Sequence, residues 1–147
     1  MADNQLYTQE AAIAKATEIK TALALSKLRL FKDTLVANQF TTKAAMVAAE
    51  CNFDGYVAGG YTLTAWAGPL KATGGGAVIT SPLVNVTYGP AEEPPVTNAV
   101  GGWFIEDASG DVRTVGNFDP PRLLQSVGDG FSFVDQLIEA RNPNVEE

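Results

Sequence analysis

Trp103-Phe-Ile-Glu106, Asp107-Ala-Ser-Gly-Asp111, Val112-Arg-Thr-Val115 is the stretch whose reading decides the fold. Two β-prone runs flank a short polar loop that contains a glycine, which is the pattern of a β-hairpin. Downstream, Asp119-Pro120-Pro121 interrupts the chain, and a last strand is expected from Phe131 to about Ala140. It places Phe131 and Phe133 on one face and Val134 and Ile138 on the other, before a loose tail from Asn142. Upstream, Leu83-Val-Asn-Val-Thr-Tyr88 alternates, with Leu83, Asn85 and Thr87 on one side and Val84, Val86 and Tyr88 on the other. Between it and the hairpin, Gly89 to Pro95 carries Glu92-Glu93 and three prolines. Proline lacks the donor a ladder needs, so this segment predicts an exposed acidic loop.

Further upstream, Ala77-Val-Ile-Thr80 follows a Gly74-Gly75-Gly76 hinge, and Tyr61 to Trp66 alternates before a break at Gly68-Pro69. Leu28, Leu30 and Phe31 alternate with Lys27, Arg29 and Lys32, a half-buried strand with a basic outer face. Thr41-Thr42 opens a short helix through Lys43 to Glu50, closed by the turn chemistry of Asn52 to Tyr56. Roughly six or seven short strands separated by turn signals predict a mainly β chain: a jelly-roll, sandwich or small β-barrel.

The N-terminal segment is different. Thr8 to Ala24 has no Gly or Pro, is rich in Ala, Glu and Lys, and can be capped by Thr8. Ala12, Ala16, Ile19 and Leu23 share one face, which is narrow and made mostly of small side chains. Such a face cannot stabilise a helix alone, so the helix must dock on the chain's own body or on a neighbouring subunit. The organisation expected is an N-terminal helical arm over 1–26 and a β-rich domain over 27–147.

Composition narrows the chemistry. The chain has 147 residues, no histidine and one cysteine, Cys51. No Ser-His-Asp or Cys-His pair and no intramolecular disulfide can form, and metal sites lose their commonest ligand. We expect no catalytic residues, no metal and no cofactor. Cys51, after an apolar helix, reads as a small buried hydrophobe. The adjacent Glu106 and Asp107 point to opposite faces of a strand and cannot serve as an acid/base pair, and Glu92-Glu93 sits in the proline-rich loop. Asp107 to Asp111 offers oxygens to Ca²⁺ but lacks the closing acidic ligands, so an ordinary hairpin loop is the better reading. Trp66 and Trp103 lie in strands where a core position is expected, with an exposed sugar-binding platform as the alternative.

Charge is unevenly spread. Up to Lys71 there are seven Lys/Arg against six Asp/Glu (+1), and from Ala72 onward three against eleven (−8), which sum to the net −7. An acidic C-terminal half argues against nucleic acid as a partner. The N-terminus has no basic region followed by an apolar run, and no apolar stretch is long enough for a membrane span.

From Leu28 onward the order of features resembles small structural proteins of tailed-bacteriophage virions. The resemblance lies in Leu28-Arg-Leu-Phe31, a short helix leading into Phe53-Asp-Gly-Tyr56, and a strand ending in Trp66. Gly102-Trp-Phe-Ile-Glu-Asp107 with its polar hairpin, Phe118-Asp-Pro-Pro121 and Gly128-Asp-Gly130 complete it. It covers about four-fifths of the chain; the N-terminal helix departs from the pattern. The resemblance implies a β module serving as capsid cement (decoration) protein, head fibre or other structural part. The expected partner is the major capsid protein. The expected assembly is a homo-oligomer, a trimer by preference, at the capsid surface after synthesis in the host cytoplasm. On this reading Ile13, Ile19 and Leu23 make apolar contact at an interface, while Lys15, Lys20, Lys27 and Arg29 meet polar or acidic shell surface. The alternative is a tail-fibre or adhesin-type module that binds a cell-surface glycan through exposed aromatics.

Overall fold

The computed structural model describes residues 8–71, 76–91 and 98–139, and for Asn98 and 137–139 it describes the backbone alone. The acidic loop around Glu92-Glu93, Gly74-Gly75 and the tail from Asn142 lie outside the described residues.

Helix α1 spans Gln9–Ala22, and Thr8 caps it by accepting a hydrogen bond from the Ala11 N–H. The chain then turns through Leu25, whose φ of 60° is the left-handed conformation, into strand β1, Ser26–Lys32. Helix α2, Lys43–Ala48, is capped by Thr42. Strands β2 (Tyr61–Leu63), β3 (Ala67–Lys71), β4 (Ala77–Thr80) and β5 (Val84–Thr87) follow. Strands β6 (Asn98–Glu106), β7 (Val112–Leu124), β8 (Gly130–Phe133) and β9 (Gln136–Glu139) complete the described elements.

Among the described residues the strand pairings are antiparallel and form three sheets, ordered β2-β1-β6-β7, β3-β4-β9 and β5-β8. Each sheet keeps its edges, so the architecture is a small sandwich and not a closed barrel. The decisive hairpin is present as β6–β7, with Phe104 opposite Val115 and Ile105 opposite Thr114.

The main core lies between one face of the four-stranded sheet and the smaller sheets. Leu28, Leu30 and Ile105 meet Ala77, Ile79, Val86 and Phe133 there. The opposite face of the four-stranded sheet carries Phe31 and Phe104, which α2 and the preceding loop cover with Met46, Ala37 and Leu35. Two glycines let these layers close. A Cβ at Gly102 would collide with the Phe31 ring and the Gly116 carbonyl, and one at Gly116 would enter the Trp103 indole.

Four sequence expectations change. Gly68-Pro69 does not end a strand: β3 runs through it, and Tyr61 to Trp66 is β-structured only to Leu63. Pro69 is tolerated because β3 is an edge strand whose register shifts between Ala67 and Leu70. Asp119-Pro120-Pro121 likewise lies inside β7, also an edge, where pairing moves from Gly102 opposite Asn117 to Val100 opposite Arg122. The expected last strand is two strands in different sheets, because the chain crosses over at Val134-Asp135.

The helix is the fourth change. Ala12, Ala16 and Leu23 are members of the main core, with Ile13 and Ile19 packed against it. Helix α1 contacts β3, β4 and β9, and Lys20 Nζ donates to the Gly68 carbonyl at 2.7 Å. Residues 8–22 are therefore an integral layer of the sandwich rather than an arm lying off a separate β domain.

Candidate interaction surface

The seven residues expected at an interface do not form one surface. Leu23 is fully buried, and Ile13 and Ile19 are half-buried against the chain's own core. Lys15 is exposed and pairs along the helix with Glu18 at 3.4 Å. Lys20 is half-buried on Gly68, and Lys27 is exposed on β1. Arg29 is largely covered, with 12% of its side chain exposed.

Arg29 is the hub of a charged network on the outer face of the four-stranded sheet. Its Nε and Nη2 donate to both Glu50 oxygens at 2.9 and 2.8 Å, and its Nη1 donates to Glu106 at 3.2 Å. Lys43 pairs with the other Glu106 oxygen at 2.8 Å. The Tyr56 hydroxyl donates to Glu50 at 2.6 Å and accepts from the Leu30 N–H. The hydrogen bond from Glu50 raises the Arg29 pKa further above its ordinary value. Burial pushes the Glu50 carboxyl up, but the bonds from Arg29 and Tyr56 outweigh it and hold the group below the usual range. Tyr56 is raised by burial and by its bond to Glu50. The network ties β1 to β6, α2 and the loop that follows it, a fixing role and not an open site.

The hairpin loop uses its carboxylate internally. Asp107 Oδ1 accepts from the backbone of Ser109 and Asp111 at 2.9 and 3.0 Å, while Oδ2 takes Arg113 Nε at 2.8 Å. The Arg113 guanidinium, first, and these backbone bonds hold Asp107 below the ordinary carboxylate range. Both Asp107 oxygens are thus engaged by the loop backbone and Arg113, and no cluster of metal-ligating side chains occurs among the described residues. Glu106 and Asp107 serve different partners, as their adjacent positions require. Cys51 is buried, and its thiol is pushed up to about 12 by that burial.

Neither tryptophan is a platform. Trp66 is 5% exposed with its indole N–H on Ser26 Oγ at 3.1 Å. Trp103 is half-buried, edge-on to Phe133 with ring centroids 5.2 Å apart.

The feature that residue patterns did not single out is the loop joining β1 to α2. Asn117 of β7 grips it from both sides: Ala37 N–H donates to Asn117 Oδ1 at 2.9 Å, and Asn117 Nδ2 donates to the Ala37 carbonyl at 2.7 Å. Within the loop, Asn38 N–H donates to Thr41 Oγ1 and Phe40 N–H donates to Asn38 Oδ1, both at 2.8 Å. These bonds fix a turn that holds Val36 and Phe40 out from the body, 80% and 82% exposed. On one flank a cleft of about 290 Å³ is lined by Leu35, Val36, Phe118 and Pro121. On the other, a cleft of about 470 Å³ lies between Asn38, Gln39 and Met46 and the β7 residues Val112, Arg113 and Val115. A valine and a phenylalanine held out in water by a hydrogen-bonded turn can bury themselves against another apolar surface, with less ordering entropy to lose than on an untied loop. The only advance signal was the Asn38-x-x-Thr41 spacing, and an apolar Phe40 in a loop reads more naturally as core.

No helix among the described residues is long and apolar enough to cross a membrane. No family model, no curated protein and no solved structure matches this chain.

Proposed function

We propose that the chain is a structural protein of a tailed-bacteriophage virion, a capsid decoration protein that binds and stabilises the assembled head. The observation that carries the reading is the pinned loop, which presents Val36 and Phe40 to solvent from a rigid sandwich. The order of sequence features from Leu28 to Gly130 supports the virion assignment.

The mechanism is thermodynamic. A protein that binds the assembled shell and not its free subunits stabilises the shell by mass action. Many copies in register make each weak apolar contact part of a strong multivalent one. Because Leu23 belongs to the core and Arg29 to an internal network, the contact surface is assigned to the β1–α2 loop, with exposed Lys15 and Lys27 as outlying basic positions.

The test is the copy number of this chain relative to the major capsid protein in purified virions, measured by quantitative peptide mass spectrometry. A ratio approaching that of the capsid protein supports decoration of the head. A handful of copies per particle moves the protein to a tail or fibre, and absence from the particle ends the virion reading.

A further inference from the structure

The cleft of about 290 Å³ beside Val36 differs from its neighbour in charge. Its walls are Leu35, Val36, Phe118 and Pro121, and its lining also holds Asp33 and Asp119, both exposed. Among the described residues neither carboxylate has an ion pair or a side-chain hydrogen bond. Arg122, in the same strand as Asp119, lies over the Phe118 ring at 5.2 Å instead, and Lys32 lines a separate hollow beside Cys51. The 470 Å³ cleft on the other flank has one charge, Arg113, which Asp107 already neutralises.

The fold builds the charged cleft before anything enters it. Asp33 N–H donates to the Ala99 carbonyl at 3.2 Å, and the Asp33 backbone lies so close over Gly101 that a Cβ there would stand 2.6 Å from the Asp33 Cα. Asn117 holds the loop at Ala37 from β7, the strand that also carries Asp119. The Phe118 ring packs on Phe131 with centroids 5.3 Å apart. At about 290 Å³ the cleft is small for a whole organic ligand and suits one large apolar side chain. Filling it strips water from two like charges. A neutral occupant leaves them desolvated and unpaired, and an acidic one adds repulsion. An occupant with lysine or arginine beside its apolar side chain offsets both costs.

We propose that this cleft receives an apolar side chain flanked by lysine or arginine on the protein surface it docks against, with the cations on Asp33 and Asp119. The inference deepens the reading of the β1–α2 loop as the contact surface and rests on it, because Val36 belongs to both loop and cleft.

NMR titration of the full, isotope-labelled chain with two end-blocked peptides, Gly-Lys-Leu-Lys-Gly and Gly-Glu-Leu-Glu-Gly, tests it. The lysine peptide should shift the Leu35, Val36 and Phe118 signals with a Kd on the order of 1 mM, and high salt should weaken it. It should bind at least about tenfold tighter than the glutamate peptide. Asp33→Asn with Asp119→Asn, both at exposed positions, should keep the fold and remove most of that difference. No shift of these signals by the lysine peptide overturns the proposal, as does equal binding of the two peptides to the parent. Shifts of the same signals on concentrating the chain without peptide would make a second copy the occupant and overturn it too. The titration uses no particles, so its failure is distinct from failure of the loop as the head contact, which incorporation of Val36 and Phe40 variants reads separately.

Discussion

At the scale of single residues, Glu50 and Asp135 are opposite cases of a partly buried carboxylate. Glu50 accepts from Arg29 and Tyr56 and is held below the usual carboxylate range. A depressed carboxyl stabilises the fold above its unfolded pKa and loses that contribution as pH falls through its folded value. Glu50→Gln should therefore cost about 1–2 kcal/mol at neutral pH, discounted for partial solvent screening, with the difference fading in acid. Urea denaturation of both chains across pH 3–7 checks it. Asp135 is the opposite case: burial raises its pKa, and one carboxylate oxygen is buried without a partner among the described residues. A raised carboxyl favours the fold at low pH and penalises it as pH rises past the unfolded value. Asp135→Asn should stabilise the chain at pH 7, by on the order of 1 kcal/mol, and match the parent at pH 3. Little of this was legible in sequence. Alternation placed Arg29 on an outer face, but its partners Glu50 and Glu106 lie 21 and 77 positions away, and only the closed sheet brings them together.

At the scale of elements, the sequence pattern read well wherever a period or a cap was strong. Thr8 and Thr42 both cap as expected, and the alternation of Val84 to Tyr88 correctly puts Val86 and Tyr88 inside. What it misjudged was proline. Pro69 and Pro120-Pro121 looked like breaks, yet both lie in edge strands, and position in a sheet is set by neighbours that alternation does not reveal. The face of α1 was also legible, but not its partner: small residues at 12 and 16 allow close approach to any surface, and here the surface is the chain's own sheet. Leu23→Ala should accordingly cost about 2–5 kcal/mol of global stability, as an interior leucine does. A loss below about half a kilocalorie in chemical denaturation would show that α1 is a detachable arm after all.

At the scale of the whole molecule, the most exposed large apolar side chains among the described residues, Val36 and Phe40, project from one hydrogen-bonded turn of the sandwich. Fold class followed from composition, turn spacing and the β6–β7 hairpin. The projection did not, because exposure of Val36 and Phe40 depends on Asn117 gripping Ala37 from 80 residues away. That turn is the point at which the account of function is most exposed to test. Because both side chains already stand in water, the double variant Val36→Asp, Phe40→Asp should keep the parent's circular dichroism and melting temperature within a few degrees.

The direct measurement of the proposed head-decorating role is competition between tagged parent and double variant for incorporation into phage particles. The account predicts that the variant folds normally and is depleted from purified heads by at least about tenfold, the loss of roughly 1.4 kcal/mol of binding. Equal incorporation of the two chains would contradict it and remove the loop as the contact surface.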